Sequence, residues 1–232
     1  MIQLQTLLPD LPANQIQQLE RLAGLFLEWN QKLNLSAIRD LDGVLLKHIV
    51  DSLLILPFHL FNPGDTVLDL GTGGGFPGLA LAIVYPRAKF TLVDATEKKI
   101  RAVVAMAKEL ELRNVRCLAG RAEELAWDRT LREHFDVVVA RALAGFPTLL
   151  EYCLPFVKVG GKFIAYQGPE LLEQWKTYVP VSHELSSGII DVKEATLLVE
   201  NAKRCFVILK KMRTISQRYP RAVGIPKKKP LA

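Results

Sequence analysis

The sequence predicts an α/β protein with a mostly parallel sheet, an antiparallel pair of strands near its C-terminal end and a helical extension in front of the sheet. Residues 66–166 alternate short apolar strands with amphipathic helices, which is typical of a parallel sheet covered by helices on both faces. Residues 1–60 show helical periodicity only, and two longer strands after residue 178 break the alternation. The chain has 232 residues, of which 50% are hydrophobic and 23% charged, so a globular core is expected.

The N-terminal extension is predicted to contain two main helices. Asn14 and Gln17 resemble a capping box at the start of the first helix. A second helix is expected to begin at Asp40 or Asp42 and to end at Pro57. A turn-forming run of Asn, Pro, Gly and Asp follows and suggests a boundary.

This boundary divides the chain into an extension (residues 1–62), a main domain (residues 63–212) and a basic tail (residues 213–232) that belongs to the same domain. The predicted strands of the main domain are Thr66–Gly71, Lys89–Asp94, Val115–Leu118, Phe135–Ala140, Lys162–Tyr166, His183–Val192 and Arg204–Met212. The predicted helices follow Pro77, a Thr96 cap and Phe146, and the last of them runs to Val157, where Gly160–Gly161 closes it.

Basic residues are concentrated at the end of the chain. The net charge is +6, yet residues 201–232 hold ten lysines and arginines and no acidic residue. A solvated tail and a phosphate-binding surface both explain this pattern, and the interleaved tyrosine and proline favour a polyanion as partner. The expected nucleic-acid contacts in the tail are Arg218, Arg221, Lys227, Lys228 and Lys229.

Five of the fifteen glycines lie within residues 71–78, between a predicted strand and a predicted helix. Glycines at this point let the backbone turn sharply and approach a ligand, and ligands of open α/β sheets bind at the carboxyl ends of the strands. A nucleoside cofactor is therefore expected here. Gly73, Gly75 and Gly78 have the spacing of a dinucleotide-binding loop, although that match alone is weak.

Two acidic residues favour S-adenosylmethionine as the cofactor. Asp69 is expected to face the cavity at the end of the first strand, where a carboxylate suits an ammonium or a sulfonium and repels a pyrophosphate. Asp94, at the end of the second strand, is expected to accept hydrogen bonds from a ribose diol, which either cofactor carries. The alternative is that both carboxylates cap loops or helices.

Further polar residues are predicted at the same edge of the sheet. Ala122 and Glu123 follow the third strand, where an adenine would lie, although Glu123 is equally suited to open a helix. Arg141 ends the fourth strand. It is expected either to pair with Asp136 or Asp69, or to hold a phosphate or base of the substrate.

Seven segments, in order over residues 33–230, carry a resemblance to a known family. They are Leu33–Ile38, His48–Leu53, Asp69–Gly78, Leu92–Asp94, Arg121–Glu124, Val139–Ala142 and Gly224–Pro230. The glycine loop, the Asp-Ser-Leu helix and the basic tail together resemble the RsmG (GidB) family, bacterial methyltransferases that modify guanine N7 in 16S ribosomal RNA.

The resemblance implies a class I (Rossmann-like) S-adenosylmethionine-dependent methyltransferase fold and a cytoplasmic enzyme that acts on 16S rRNA or on the small-subunit particle. The cofactor contacts that it implies are Gly71, Gly73, Phe76, Asp94, Ala122, Glu123 and Arg141. Gln167 departs from the pattern, because many relatives carry lysine at this position. A methyltransferase for another RNA or a small molecule, and a nicotinamide-dependent oxidoreductase, are the alternatives.

Methylation of guanine N7 requires little acid–base chemistry, since this nitrogen has a lone pair and no proton. Proximity and orientation then carry the reaction, and no catalytic nucleophile or triad is predicted. The four histidines show no metal-ligand spacing, and the three scattered cysteines suggest a reducing compartment. Asp51 and Ser52 are expected either to line the substrate side of the cleft or to brace the two parts of the protein. No apolar stretch is long enough for a membrane span.

Overall fold

The N-terminal extension is helical. The computed structural model describes residues 2–197 and 201–232. Its first helices are α1 (Leu4–Leu7), α2 (Ala13–Leu33) and α3 (Leu41–Val44), and α3 continues through a π-helical turn (Leu45–Val50) into α4 (Asp51–Leu53) before a 3₁₀ turn (Leu56–Phe58). Asp40 accepts a hydrogen bond from the Gly43 amide at 2.7 Å and so caps α3, as predicted.

The predicted capping box at the start of α2 is wrong. Pro12 is the N-cap residue, and Asn14 lies inside the helix. Proline fixes its own φ and lacks an amide hydrogen, so it begins a helix without any side-chain cap.

The sheet has seven strands in the order β3-β2-β1-β4-β5-β7-β6. The strands are β1 (Thr66–Leu70), β2 (Lys89–Asp94), β3 (Val115–Ala119), β4 (Phe135–Arg141), β5 (Val157–Gln167), β6 (Ser187–Leu197) and β7 (Ala202–Lys211). The first five strands pair in parallel, while β7 is antiparallel to β5 and to β6. This arrangement confirms the predicted fold class. From β1, the next two strands are added on one side of the sheet, and β4 and β5 are added on the other side. Ligands of open α/β folds bind at such a point, where the order of the strands reverses.

Helices connect the strands, and a last short helix follows β7. They are α5 (Gly78–Val84), α6 (Glu97–Glu109), α7 (Ala122–Leu125), α8 (Phe146–Cys153), α9 (Leu171–Gln174), α10 (Val179–Glu184) and α11 (Ile225–Lys228). None of the helices among the described residues has the length and apolarity that crossing a bilayer requires.

Two expectations about the second half of the chain are wrong. The helix that begins at Phe146 continues as a 3₁₀ turn (Leu154–Phe156), close to its predicted end, but Gly160–Gly161 lies inside β5 instead of closing it. A Cβ on Gly161 would lie 2.8 Å from the Asp136 carbonyl oxygen, so close strand contact explains this glycine. His183 belongs to α10, and the following strand begins at Ser187.

Two apolar layers cover the two faces of the sheet. Side chains alternate along β4, with Val137 and Val139 in one layer and Val138 and Ala140 in the other. The N-terminal helices pack on the first layer, whereas α8 and the C-terminal residues Ile215 and Tyr219 pack on the second. The interpretation of the C-terminal residues as a solvated tail is therefore wrong.

Candidate functional site

The glycine loop connects β1 to α5 at the carboxyl ends of the parallel strands. The amides of Gly71 and Thr72 donate to the Val93 carbonyl at 2.8 and 2.9 Å, and this tie holds the loop against β2. Gly71 and Gly73 have φ angles of +76° and +57°, a region in which glycine is favoured. The sharp turn of the loop thus depends on these two glycines.

A cavity of about 530 Å³ opens beside this loop. It is lined by seven of the eight predicted cofactor residues, namely Gly71, Gly73, Phe76, Asp94, Ala122, Glu123 and Arg141. The structure therefore brings together residues that are spread over 71 positions of the sequence, at the edge of the sheet where the cofactor was expected.

The expectation that Asp69 faces this cavity is wrong. Its side chain is fully buried and does not line the cavity. Oδ2 accepts hydrogen bonds from Thr72 Oγ1 at 2.6 Å and from the Gly78 amide at 2.8 Å. Asp69 lies within β1, on the face covered by α5. From this position its carboxylate connects Thr72, near the start of the loop, to Gly78 at its end.

The burial of Asp69 has an electrostatic consequence. Its Oδ1 has no hydrogen-bond partner among the described residues. Burial raises the pKa of the Asp69 carboxyl to about 6, although the bonds from Thr72 and Gly78 oppose this shift. At neutral pH the carboxyl is therefore ionised, and this buried charge lowers the stability of the folded protein.

Asp94 caps the loop and the next helix, which is one of the two functions that the sequence suggested for it. Its Oδ2 accepts from the Gly73 amide at 3.0 Å and its Oδ1 from the Thr96 amide at 2.8 Å, so the carboxylate fixes the loop and the start of α6. The side chain also lines the cavity. A carboxylate oxygen accepts more than one hydrogen bond, so capacity for a ligand hydroxyl remains.

Glu123, on α7, also lines the cavity. It is buried, and its Oε1 accepts from the Gly224 amide at 3.0 Å. Tyr152, which also lines the cavity, lies beside this carboxylate. Burial and the Glu123 charge raise the pKa of Tyr152 to about 12, so the phenol keeps its proton at neutral pH.

Arg141 pairs with neither Asp136 nor Asp69. Its Nη1 donates to Asp51 Oδ2 at 2.7 Å, across 90 residues of sequence. Asp136 instead accepts from the Thr66 amide and hydroxyl and pairs with Lys158. The sequence analysis missed the partner of Arg141 because that partner lies in the N-terminal extension. The pattern of strands does not show where the extension packs against the sheet.

Asp51 is shared between two arginines. Its second oxygen accepts from Arg204 Nε on β7 at 2.5 Å, and the Asp51 side chain is 7% exposed. One buried carboxylate thus links the extension to β4 and β7. Asp51 thus braces the two parts of the protein, which is one of its two expected roles, and it also lines a second cavity.

His48 is a site residue that the sequence analysis missed. Its ring stacks on Phe76, with centroids 5.1 Å apart, and its Nε2 lies 3.0 Å from Ser36 Oγ. Desolvation by burial, together with the nearby Arg141 charge, lowers the pKa of His48 to about 4. The imidazole is therefore neutral at physiological pH. A single histidine on a helix offers no spacing pattern, so only its place in the His48–Leu53 segment pointed to it.

The second cavity, of about 440 Å³, adjoins the first. The two cavities share four lining residues, namely His48, Arg141, Ala142 and Ala144. Asp51, Tyr166, Gln167 and Arg204 complete much of the wall of the second cavity. Gln167 thus lies in position to contact a ligand there.

The basic C-terminal residues do not all face solvent. Arg218, Lys228 and Lys229 are exposed, and Lys227 lines the first cavity. The expectation that Arg221 is available to nucleic acid is wrong. Its guanidinium pairs with Glu151, whose side chain is fully buried, at 2.6 Å.

The loop fits a cationic donor better than a dinucleotide. Six loop amides are bonded within the protein, namely those of Gly71, Thr72, Gly73, Gly75, Phe76 and Gly78. A loop that binds pyrophosphate keeps such amides free for phosphate oxygens. The cavity wall carries acidic side chains, from Asp94 and Glu123, and basic ones, from Lys99, Arg121, Arg141 and Lys227, so it is the bonded amides of the loop that disfavour a pyrophosphate.

Comparisons with known proteins agree with this geometry. Residues 15–202 match the family model described as "GidB: rRNA small subunit methyltransferase G". A protein of Alkaliphilus metalliredigens named ribosomal RNA small subunit methyltransferase G is 39% identical over 218 residues, which cover 94% of this chain and 91% of that protein. A Geobacillus kaustophilus protein of the same name is 38% identical and covers 99% of this chain and 98% of its own.

Solved structures share the fold. The YcgJ protein of Bacillus subtilis superposes with a TM-score of 0.53 at 16% identity and covers 70% of this chain and 98% of its own. TrmN of Thermus thermophilus has a TM-score of 0.54 at 20% identity and covers 70% of this chain and 48% of its own. At these identities, the likeness concerns the fold alone.

Asp69→Asn tests the buried charge. Asparagine keeps an oxygen for Thr72 and Gly78 but has no charge, so we expect the variant to be more stable at pH 7, by up to about 3 kcal/mol. Between the unfolded pKa of 3.8 and the folded pKa of about 6, the native wild type binds more protons than the unfolded chain, and its stability falls as pH rises. The gain should shrink between pH 7.5 and 4.5 in denaturant titrations. A gain that does not change with pH would contradict the charge argument.

Gly73→Ala tests the cavity wall. At Gly71 an added Cβ would meet Leu143 at 2.6 Å, whereas at Gly73 its nearest neighbour would be the Gly71 carbonyl oxygen at 4.0 Å. Gly64 also has a positive φ (+89°) and open space, but it lies before β1 and serves as the control. Both alanine variants should lose about 1 kcal/mol of stability. Only Gly73→Ala should weaken S-adenosylhomocysteine binding in calorimetry, by tenfold or more, and equal affinities would refute the role of the loop.

Proposed function

The chain belongs to the GidB family of rRNA small subunit methyltransferases, and on this premise we propose that it transfers a methyl group from S-adenosylmethionine to guanine N7 of 16S ribosomal RNA. The protein is an S-adenosylmethionine-dependent rRNA methyltransferase, whose substrate is small-subunit rRNA. We propose that the methylated atom is guanine N7, and we propose which residues act on it. The reaction is proposed to take place in the cytoplasm.

One observation carries the assignment of the two cavities. The first cavity, which we call the donor cavity, meets the second along the shared wall of His48, Arg141, Ala142 and Ala144. A methyl donor in the first and a base in the second would be neighbours. We therefore assign the second cavity to the target base and call it the base cavity.

His48, on this shared wall, suits attack by a neutral nitrogen. S-adenosylmethionine supplies an electrophilic methyl group on a sulfonium, and guanine N7 needs no base to remove a proton. His48, neutral because its pKa is lowered to about 4, adds no positive charge beside the base as the purine becomes cationic. The chain's contribution is then to hold the base in line and to exclude water.

Polar groups of the base cavity match the edge of guanine. Guanine presents O6 and N7 as adjacent acceptors, and N7 must stay free to attack. The cavity offers the Gln167 amide and the Arg141 and Arg204 guanidiniums as donors, of which O6 requires only one. Asp51 fixes both guanidiniums, so they are positioned before the substrate arrives.

The assay combines purified protein, methyl-labelled S-adenosylmethionine and 16S rRNA or small-subunit particles that lack the modification. We expect the label in 7-methylguanosine after digestion and mass spectrometry of the nucleosides. Label in a different nucleoside would overturn the N7 assignment. If no RNA is labelled while another acceptor is, the substrate assignment is wrong. Parallel reactions with free rRNA and with particles identify the form that the protein modifies.

The exposed lysines of the tail are proposed to hold RNA phosphates. A triple variant with alanine at Lys227, Lys228 and Lys229 should bind rRNA more weakly, and the slope of log K against log salt should fall by about 2, since each single-strand phosphate contact contributes about 0.7. The matched control replaces three exposed lysines elsewhere, Lys32, Lys108 and Lys176. Equal slopes in the two triple variants would show that the tail lysines contribute only net charge.

A further inference from the structure

The C-terminal segment, residues 213–232, packs over the face of the sheet opposite the N-terminal helices and reaches the donor cavity. Ile215 is 2% and Tyr219 is 4% exposed, and both belong to the apolar layer around α8. Lys227, farther along the segment, lines the donor cavity. Hence the segment supplies part of the wall of a site that is otherwise built by the sheet edge.

A buried carboxylate on α8 anchors this segment. Glu151 is fully buried and accepts from the Arg221 backbone amide at 2.8 Å, from Nε at 3.0 Å and from Nη2 at 2.6 Å. The same Nη2 donates to the Lys229 carbonyl at 2.8 Å and thereby folds the segment back on itself. Paired hydrogen bonds between a guanidinium and a carboxylate are strong and directional, which makes Arg221 the main polar anchor.

A second carboxylate joins the segment to the donor cavity itself. Glu123 lines the cavity and accepts from the Gly224 amide at 3.0 Å, where Gly224 has a φ of +81°. On the same stretch, Thr148 Oγ1 of α8 donates to the Pro226 carbonyl at 2.9 Å. These bonds place α11 at the cavity, with Lys227 lining it and Lys228 and Lys229 exposed beside it.

We propose that docking of the C-terminal segment is coupled to donor binding, so that the donor and the RNA strengthen each other's binding. With the segment docked, the donor cavity has its Lys227 wall and Glu123 is held by Gly224. With the segment released, both are lost. A donor that binds the complete cavity more tightly must favour the docked segment, and by linkage the docked segment must favour the donor.

The segment is suited to such an equilibrium. Its described residues form no strand of the sheet and are held by side-chain bonds and a few apolar contacts. Terminal segments held in this way open at a lower free energy than the core. Release would expose Glu151 to water, so no unpaired charge would stay buried.

The partner that benefits is a polyanion. Lys227, Lys228 and Lys229 are placed at the mouth of the donor cavity only in the docked state, where phosphates of an RNA bound at the base cavity would pass. This inference rests on the function proposed above. RNA that binds these lysines favours docking, and thereby completes the donor cavity.

Hydrogen exchange of the wild-type protein is the first test. Saturating S-adenosylhomocysteine should slow amide exchange in residues 219–229 and leave β6, which lines neither cavity, unchanged. If the protein binds the compound but exchange in the segment does not change, the coupling is refuted while the proposed function stands. If the wild-type protein does not bind it at all, the proposed function fails first.

A pair of arginine variants is the second test. Arg221→Ala removes the anchor, whereas Arg213→Ala removes the same charge from an exposed position of the same segment. We expect Arg221→Ala to bind S-adenosylhomocysteine about tenfold more weakly, within the usual range of coupling, and Arg213→Ala to stay within about twofold of wild type. Saturating 16S rRNA should raise the affinity of the wild type and of Arg213→Ala, but not that of Arg221→Ala.

Two outcomes would overturn the inference. If the amides of residues 219–229 in Arg221→Ala exchange rapidly and yet the variant binds the compound like wild type, docking and donor binding are independent. If these amides keep the slow exchange of the wild type, Arg221 is no anchor. Should Arg221→Ala fail to fold, the exchange experiment on the wild type decides alone.

Discussion

The carboxylate of Asp69 beneath the glycine loop is the constraint on which the donor cavity depends. By accepting from Thr72 and Gly78, it joins the start of the loop to the start of α5, and Val93 and Asp94 hold the rest of the loop against β2. With its amides bonded internally, the loop presents bare backbone to the cavity instead of a phosphate cradle. The nature of the donor therefore follows from how the loop satisfies its own hydrogen bonds.

Ion pairs between residues far apart in sequence attach both ends of the chain to the domain around the glycine loop. Asp51 of the extension binds Arg141 and Arg204, and Glu151 of α8 binds Arg221 of the C-terminal segment. The Asp51 pairs lie at the wall of the base cavity, whereas the Glu151 pair attaches the C-terminal segment to α8. Buried pairs of this kind add little net stability, but losing one partner is costly, so they mainly specify position.

The fold was predictable from the sequence because each strand and helix has a local pattern of apolar residues. Buried runs such as Phe135–Ala140 stand between turn residues, and the alternation implied the parallel sheet. Pairings were not predictable in this way. Asp51 lies 90 residues from Arg141 and Glu151 lies 70 from Arg221, and no periodicity relates them. The position of Asp69 was misjudged because strand alternation shows that a side chain faces one side, but not which helix covers it.

The sharing of one carboxylate by two arginines affects product release in the proposed reaction. Asp51 offsets only one of the three positive charges at the wall of the base cavity, which come from Lys47, Arg141 and Arg204. A neutral guanine tolerates this excess, and its O6 gains from it. Once methylated at N7, the purine ring is cationic and is repelled by the same guanidiniums. The cavity thus holds the base more weakly after the reaction than before it, which limits inhibition by the modified RNA.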